Sequence, residues 1–402
     1  MDRILFLAHR IPYPPNKGDK IRSFHEVKYL AKHYRIHLAA LADDHEDLKY
    51  ISNLQKFCEK VSIEPIKKPM AQIEALKALI KGDPLSVRYF YSPRLHQKVQ
   101  DWLRKHRYRA IFCFSSQTAQ YLPAVLDPET RFIMDFVDVD SEKWFQYAER
   151  TRQPFYRWLY RLEGKRLRKF EREIALRADA CLLAAEREKV LFQRLYPEIS
   201  AVYTVTNGVD LDFFDPKRDY PCPFDPSDPV LVFSGAMDYY ANVDGVVWFA
   251  KEIFPKVKSH FPRGKFYIIG RKPAPEVLAL RKEEGIVVTG FVNDVRPYYA
   301  WATACVVPLL VARGIQNKVL EAMAMAKPVV ATSQAFEGIK AKPGHDILVA
   351  DEPQAFAQAL IEILKDPNRQ KELGQAARKI MEEKYSWEKN LRFLDHLLRD
   401  TK

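Results

Sequence analysis

Short apolar runs alternate with longer amphipathic segments along most of the 402 residues. A continuous apolar run is typical of a strand buried on both faces, whereas apolar positions three or four apart are typical of a helix with one buried face. Such runs predict strands at residues 4–8, 36–41, 110–114, 131–135 and 180–184, and near residues 230–233, 265–269, 286–289, 305–307 and 329–331. Because strands that alternate with helices form parallel sheets, the pattern predicts an α/β protein.

Helical spacing is clearest at residues 155–176 and recurs at residues 353–364, at residues 369–384 and in a last helix near the C-terminus. A basic stripe follows one face of the first of these helices, at Arg157, Arg161, Lys165, Arg168 and Arg172. The basic stripe has two interpretations. It can be an ordinary solvated face, or a contact with anionic lipid that neighbouring aromatic residues assist.

The chain carries a formal net charge of +12, and the excess lies in its first half. Residues 1–205 contain 37 lysines and arginines against 26 acidic residues, whereas the remainder contains 27 against 26. A basic half can face nucleic acid, anionic lipid or a phosphorylated substrate. No zinc-finger spacing or obvious nucleic-acid motif accompanies it, so lipid or a lipid-linked phosphate is preferred. A chain of this length is expected to form two domains.

The five cysteines are scattered and lack the spacing of metal ligands. We interpret them as reduced thiols of a cytoplasmic protein. The first ten residues are too short and wrongly flanked for a signal peptide, and no apolar run approaches the roughly 20 residues of a membrane span. The sequence therefore predicts a cytoplasmic protein, and any contact with the inner face of the plasma membrane would be peripheral.

One segment of the second half combines a tight turn, an apolar helix and a buried strand. Gly314 can supply the turn, and Lys327-Pro328 ends the helix because proline lacks an N–H group. Lys318 and Glu321 interrupt that helix three residues apart, so both lie on one face near its N-terminus. A helix N-terminus beside an ammonium suits a phosphate, and a carboxylate can accept hydrogen bonds from sugar hydroxyls. Taken alone, the pair is equally consistent with an ordinary surface ion pair.

The same segment, Lys318-Val-Leu-Glu321 with Lys327-Pro-Val-Val-Ala-Thr332, resembles the donor-site signature of retaining family 4 glycosyltransferases. Further family landmarks follow in family order, at Asn207-Gly-Val-Asp210 and at residues 232–244, 289–294 and 306–308. Residues 12–22 and 135–144 are similar to the subgroup of sugar transferases associated with bacterial exopolysaccharide and exosortase systems. The resemblance covers most of the chain.

The resemblance implies the GT-B fold, in which two Rossmann-like domains face a central cleft and a C-terminal helix crosses back to the first domain. It implies an acceptor-binding domain at residues 1–205, a nucleotide-sugar-binding domain at residues 206–384 and the crossing helix at residues 385–402. The implied activity moves a hexose from a nucleotide diphosphate sugar to a glycan or lipid-linked acceptor, with retention, in exopolysaccharide or cell-surface glycan synthesis. No metal or other cofactor is expected, because the Asp-x-Asp pair at Asp138 and Asp140 lies in the wrong half for a GT-B donor site.

Two departures from the family pattern concern the donor site. Glu321 matches the second glutamate of the family's Glu-x7-Glu motif, which holds the donor ribose, but Arg313 replaces the first. Gly235-Ala-Met237 stands where many members have Gly-Arg, and Asn242 replaces a lysine, so two phosphate-binding cations are missing. Lys318 and Arg313 are the preferred replacements, since an ammonium and a planar guanidinium both suit phosphate oxygens. The implied donor-binding residues are Gly18, Gly235, Arg313, Gly314, Ile315, Gln316, Asn317, Lys318 and Glu321.

Gly18 is expected in the loop after the first strand, where its family counterparts approach the donor phosphates and the acceptor through backbone N–H groups. The flanking cations Lys17, Lys20 and Arg22 are candidates for binding an anionic acceptor. A plain turn explains a single glycine in this proline-rich loop equally simply.

The candidate catalytic residues are Asp138, Asp140 and Lys318. Both aspartates follow a predicted strand. The resemblance implies a polar first-domain contact to the acceptor or the transferred sugar at a comparable position, for which Asp138 is preferred and Asp140 is second. Asp140 and Ser141 are equally suited to capping a helix N-terminus.

Two other functions stay open. A GT-B phosphorylase or epimerase would share the fold and the phosphate site. A non-catalytic subunit that binds nucleotide sugar or lipid and scaffolds a polysaccharide assembly is suggested by the missing glutamate and the missing cations.

Overall fold

The chain forms two compact units in a computed structural model that describes residues 1–151, 153–225, 227–312 and 314–399. The first unit contains Met1–Thr206 together with the described residues from Leu391 onward, and the second contains Asn207–Asn390. The division after Thr206 falls beside the predicted boundary. The chain returns to the first unit at Leu391, however, so residues 385–390 belong to the second unit and the predicted return at residue 385 is too early.

A seven-stranded parallel sheet forms the centre of the first unit. Its strands are β1 (Arg3–Ala8), β2 (Arg35–Ala42), β3 (Lys60–Pro65), β4 (Ala110–Phe114), β5 (Arg131–Val137), β6 (Ala180–Leu183) and β7 (Val202–Thr204). They lie in the order β3-β2-β1-β4-β5-β6-β7, with Ala8 of β1 beside both Ala40 and Phe114. Because the chain winds outward in both directions from β1, the space between β1 and β4 is a topological switch point.

Helices connect these strands. They are α1 (Gly18–Leu30), α2 (Ile51–Leu54), α3 (Lys68–Lys81), α4 (Leu85–Tyr89), α5 (Pro93–Lys105), α6 (Asp140–Arg150), α7 (Pro154–Ala175) and α8 (Glu186–Leu195), with short 3-10 segments at His45–Tyr50 and Ser116–Tyr121. The helix predicted at residues 155–176 corresponds to α7.

The second unit repeats this plan around a six-stranded parallel sheet. Its strands are β8 (Val230–Ser234), β9 (Lys265–Ile269), β10 (Ile286–Gly290), β11 (Ala304–Val307), β12 (Val329–Ala331) and β13 (Leu348–Val349), in the order β10-β9-β8-β11-β12-β13. Its helices are α9 (Tyr240–Trp248), α10 (Phe254–His260), α11 (Pro275–Ala279), α12 (Arg296–Trp301), α13 (Asn317–Ala324), α14 (Ser333–Phe336), α15 (Pro353–Lys365), α16 (Pro367–Lys384) and α17 (Trp387–Leu391). A π-helical turn, Phe249–Ile253, joins α9 to α10, and a 3-10 segment spans Leu280–Lys282.

All ten predicted strands are present, and the prediction of an α/β protein is confirmed. Three observed strands, β3, β7 and β13, lie outside the predictions, and each forms the edge of its sheet. Every residue of β3 is only half-buried, so no continuous apolar run marks it. The inner strands are largely apolar because helices cover both of their faces, although β2 and β5 contain the buried polar residues His37 and Asp135.

The last helix, α18 (Phe393–Arg399), packs on the first unit. The Tyr29 hydroxyl donates a hydrogen bond to Asp395 Oδ2 at 2.8 Å, and the Arg109 guanidinium donates to the Leu398 carbonyl at 3.0 Å. The Phe393 ring lies 4.9 Å from the Tyr203 ring. These contacts explain how a C-terminal helix returns to the unit in which the chain begins.

Candidate functional site

The switch point of the second sheet lies between β8 and β11. In open α/β sheets, ligands bind in the crevice outside the carboxyl ends of the strands at such a point. The chain leaves β8 through a loop that starts at Gly235, and it leaves β11 toward α13, which carries Lys318 and Glu321. The fold thus brings the glycine predicted to lie near the donor and the two polar residues of α13 to one edge of one sheet.

Two glycines allow the backbone to pack closely at this edge. A Cβ atom on Gly270 would lie 1.7 Å from the Gly235 carbonyl oxygen, and a Cβ atom on Gly235 would lie 2.7 Å from Asn242 Nδ2. Gly235 N–H also donates to the Ile269 carbonyl at 2.9 Å. The loop after β8 is therefore held against the end of β9, and any side chain at either glycine would displace it.

Lys318 is half-buried in this crevice. Its ammonium donates a hydrogen bond to Asn242 Oδ1 at 2.8 Å and lies 5.2 Å from the centre of the Phe233 ring. Burial lowers the pKa of Lys318 to about 8, and the Glu321 carboxylate only partly opposes this effect. The group is thus a poorly solvated cation, which gains most when an anion comes into contact with it.

Glu321 lies one turn further along α13. Its Oε2 accepts a hydrogen bond from the Tyr299 hydroxyl at 3.2 Å, and that hydroxyl also contacts Ser234 Oγ. Burial raises the pKa of Glu321, while the Tyr299 hydrogen bond and Lys318 oppose the shift. Burial and the neighbouring Glu321 raise the pKa of Tyr299 well above its usual value, so Tyr299 is a neutral donor that orients the carboxylate.

The remaining predicted donor-binding residues of the second unit precede α13. Gly314 has a φ of 65°, so it forms the tight turn that the sequence predicts there. Ile315 is buried in the hydrophobic core, whereas Gln316 immediately precedes α13 and Asn317 begins it. Arg313, the predicted replacement for the first motif glutamate, lies outside the described residues.

The structure corrects the expected position of Gly18. It is the first residue of α1, preceded by Lys17 as the N-cap, and not part of the loop. Its backbone is therefore helical, and the proline-rich loop ends before it.

The cations expected to bind an anionic acceptor are largely engaged inside the first unit. Lys20 Nζ donates to Asp47 Oδ2 at 2.7 Å, and Arg22 Nε donates to Asp135 Oδ2 at 2.7 Å. Both cations are 1% exposed, so this expectation is wrong for these two residues. Lys17 is partly exposed and lies 3.4 Å from an Asp43 carboxylate oxygen.

The predicted catalytic carboxylates of the first unit lie together at the carboxyl end of β5. Lys143 Nζ contacts Asp138 Oδ2 at 3.0 Å and Asp140 Oδ1 at 2.8 Å. Burial opposes the charged form of Lys143, but the two carboxylates outweigh it and raise its pKa well above the usual value. Asp140 is the first residue of α6 and makes no capping bond, since the N-cap is Val139. The capping interpretation is therefore wrong, and both carboxylates face a lysine.

The basic stripe on α7 is partly neutralised. Arg172 Nε donates to Glu198 Oε1 at 2.5 Å, and Arg168 pairs with Glu142 while its guanidinium lies 4.5 Å from the Phe145 ring centre. Arg157, Arg161 and Lys165 are exposed. Beside them the first turn of α7 exposes three aromatic side chains, Phe155 (64%), Tyr156 (45%) and Trp158 (56%).

Two residues of the donor-side site lie outside the sequence predictions, Ser234 and Tyr299. Both look like ordinary core residues of a strand and a helix, and Tyr299 is separated from Glu321 by 22 positions. Asn242 is noticeable in the sequence only as a missing lysine, although it contacts Lys318. No local sequence pattern predicts these contacts.

Known proteins resemble this chain in the sequence of the second unit and in fold. Residues 228–366, which contain the whole site of the second unit, match the model of a family described as Glycosyl transferases group 1. An uncharacterized 44.6 kDa protein in the cps region of Klebsiella pneumoniae is 20% identical over 405 residues, covering 97% of this chain and 98% of that protein. Sucrose-phosphate synthase from Thermosynechococcus elongatus has a similar structure, with a TM-score of 0.70 at 16% identity over 99% of this chain and 98% of that one. HepE from Anabaena, in complex with UDP-glucose, has a TM-score of 0.68 at 13% identity over 99% of both chains.

The chain has the GT-B fold with two Rossmann-like domains, as the sequence predicts. Together with the matched family, this supports a GT-B glycosyltransferase. Among the described residues, every helix is too short or too polar to cross a membrane.

Proposed function

We propose that the protein is a retaining hexosyltransferase that transfers a sugar from a nucleotide diphosphate sugar to a glycan or lipid-linked acceptor. The observation that carries the proposal is the pair formed by Lys318 and Glu321 at the switch point of the second sheet. One is a cation with poor solvation, and the other is a carboxylate with a fixed orientation. A donor with a diphosphate and a ribose matches both groups.

In this proposal, Glu321 accepts hydrogen bonds from the ribose hydroxyls, and Lys318 contacts the diphosphate. Negative charge builds up on the diphosphate as the bond to the sugar breaks, and a preorganised cation stabilises it most at that moment. Arg313 and the N-terminal end of α13 add to this stabilisation. The reaction needs no metal ion in this scheme.

The acceptor binds the first unit, where Asp138 and Asp140 are the proposed polar contacts. Retention without a nucleophile suggests that the acceptor hydroxyl attacks from the side of the departing diphosphate, which takes the hydroxyl proton. Lys143 contacts both carboxylates, and their remaining oxygen lone pairs can accept hydrogen bonds from acceptor hydroxyls.

The proposed setting is the synthesis of exopolysaccharide or another cell-surface glycan in the cytoplasm, close to the inner face of the membrane. The cps-region relative supports this setting. The exposed aromatic turn of α7 and the exposed cations Arg157, Arg161 and Lys165 are suited to a peripheral contact with anionic lipid.

A panel of nucleotide sugars tests the proposal. Calorimetry of the purified protein should detect binding of one donor class, and added glycan acceptors should trigger release of the nucleoside diphosphate. NMR of the product should show the anomeric configuration of the donor. Release of free nucleotide without any acceptor requirement would instead favour an epimerase or another GT-B activity.

A non-catalytic scaffold is the second candidate, because Arg313 stands where the resembled motif has a glutamate. It predicts binding of a nucleotide sugar without turnover under every acceptor tested. Turnover with any acceptor contradicts the scaffold.

A further inference from the structure

Asn242 and Lys318 come from different helices and meet beside the carboxyl end of β8. Asn242 belongs to the first turn of α9, is 3% exposed, and lies 76 positions before Lys318. Its Nδ2 donates to the Ala236 carbonyl at 2.9 Å, and its Oδ1 accepts from Lys318 Nζ at 2.8 Å. Because both ends of the amide are bonded, its orientation is fixed.

Gly235 makes this contact possible. A Cβ atom on Gly235 would lie 2.7 Å from Asn242 Nδ2 and 3.3 Å from Lys318 Cε. The glycine cannot move aside, because its carbonyl already lies against Gly270. A side chain at residue 235 would therefore push Asn242 and Lys318 apart.

The contact orients Lys318 without neutralising it. No described carboxylate lies within ion-pair distance of its ammonium, although Glu321 on the same helix influences it electrostatically. The Tyr299 hydroxyl is bonded to Glu321 and Ser234. An aspartate at residue 242 would cancel the charge, whereas an asparagine holds the cation and leaves it able to meet an anion.

We propose that Asn242 is a positioning residue that aims the Lys318 ammonium at the diphosphate of the donor, and that Gly235 supplies the space for this contact. The inference rests on the proposed function of the site. It explains how the site can act with a neutral amide at residue 242, since one well-placed ammonium then meets the diphosphate.

A first experiment measures Lys318 directly, without any ligand. Reductive methylation modifies only neutral amines, so the labelling of Lys318 as a function of pH, read by peptide mass spectrometry, gives its titration midpoint. Asn242→Ala removes an acceptor that favours the charged form, so the midpoint should move to lower pH. Asn242→Asp adds a carboxylate, so the midpoint should move to higher pH. Gly235→Ala should shift it in the same direction as Asn242→Ala.

A second experiment measures anion binding. Inorganic pyrophosphate, UDP, GDP and ADP are titrated by calorimetry at pH 7 into the wild-type protein and the three variants. Asn242→Ala and Gly235→Ala should bind pyrophosphate and the preferred nucleotide roughly tenfold more weakly, as expected for loss of one well-placed hydrogen bond to a charged group. Asn242→Asp should also bind both ligands more weakly, because its carboxylate neutralises the Lys318 ammonium. The control variant is Gln370→Ala, which removes an amide that donates to the Ile363 carbonyl on another helix at 2.8 Å. Its Lys318 titration midpoint and its pyrophosphate affinity should stay unchanged.

Opposite shifts for Asn242→Ala and Asn242→Asp, with weaker pyrophosphate binding in both, support the proposal. Equal midpoints in all proteins would overturn it. Wild-type pyrophosphate binding in the folded Asn242→Ala and Gly235→Ala proteins would also overturn it, because a merely structural Asn242 leaves the binding of an anion by Lys318 unchanged. Thermal midpoints identify any variant that fails to fold, and the remaining variants still decide the question. Absence of pyrophosphate and nucleotide binding in the wild-type protein would overturn the proposed function itself, which separates that failure from a failure of Asn242.

Discussion

The Tyr299 hydroxyl donates a hydrogen bond to Glu321 Oε2 at 3.2 Å, while Ser234 contacts the same hydroxyl from the end of β8. Three elements of the second unit thus fix one carboxylate. Tyr299 is 1% exposed, so its hydroxyl has no solvent with which to exchange this bond. The carboxylate is oriented before any ligand arrives, which reduces the entropy lost on binding.

Tyr299→Phe should weaken donor binding by about 1 kcal/mol, because Glu321 loses the bond that orients it. The measurement is the dissociation constant of the preferred nucleotide sugar. Tyr298→Phe is the matched control, since its ring packs against Tyr267 in the neighbouring position. Equal affinities in the two variants would contradict an orienting role for Tyr299.

Glu321→Ala should weaken donor binding by roughly 1.5–3 kcal/mol, as expected for hydrogen bonds to a charged group. The folded pKa of Glu321 is raised, so the carboxylate takes up a proton at a higher pH than an ordinary glutamate. Donor affinity of the wild-type protein should therefore decrease as the pH is lowered toward and through this raised pKa. Wild-type donor affinity in a folded Glu321→Ala protein would show that Glu321 does not bind the donor.

Lys318→Met should lower turnover strongly without lowering the thermal midpoint at pH 7. The folded pKa of Lys318, about 8, lies below the usual value of 10.5, so the unfolded chain binds this proton more tightly. The charged lysine therefore lowers the free energy of unfolding below pH 8. This destabilisation is lost as the pH rises from about 8 to 10.5. Methionine removes this dependence.

The same titration affects ligand binding in the wild-type protein. Affinity for a nucleoside diphosphate should fall as the pH rises above about 8, because Lys318 then loses its charge. Isothermal calorimetry between pH 6.5 and 9.5 measures this, with Lys318→Met as the reference that lacks the transition.

Arg313→Met should also lower turnover if the guanidinium contacts the diphosphate. Near-normal turnover in both variants would mean that other groups hold the phosphates.

Asp138→Asn should raise the KM for the acceptor and leave the donor dissociation constant unchanged, since Asp138 lies in the first unit. The Lys143 ion pair would also lose one partner, so the thermal midpoint must be followed. Lys143→Gln is the comparison that disturbs the pair without removing the carboxylate. A change in stability alone, with unchanged acceptor kinetics, would assign Asp138 a structural role.

Vesicle co-sedimentation tests the surface of α7. The wild-type protein should bind vesicles containing anionic lipid and dissociate as salt is added, because each exposed cation contributes about 1 kcal/mol near an anionic leaflet. Changing Arg157, Arg161 and Lys165 to Gln should abolish most of this binding. The double variant Arg168→Gln, Arg172→Gln is the control, since these two arginines are already paired with glutamates. If binding does not depend on salt concentration or on lipid charge, the basic stripe is an ordinary solvated face.

Much of the fold follows from local sequence pattern. The ten predicted strands are the most apolar ones, and a run such as that of β4, which is buried along its full length, can be recognised without knowledge of its neighbours. β3 has no such run because it is half-buried along its length and carries polar residues, whereas β7 and β13 are only three and two residues long. The turn at Gly314 and the helix that carries Lys318 and Glu321 are also local, since their determinants lie within a few residues of each other.

The tertiary structure decided which charged groups meet. Arg22 and Asp135, 113 positions apart, form a buried pair, so a cation that looked available for an acceptor is engaged inside the first unit. Lys318 has Asn242 as its partner rather than an acidic residue, and this contact joins two helices across the end of a sheet. Sequence spacing reports only neighbours along one element, whereas pairing between elements depends on strand order and on where glycines allow close approach. The residue types that bind and react are therefore visible in the sequence, but their orientation and remaining charge arise from packing between distant segments.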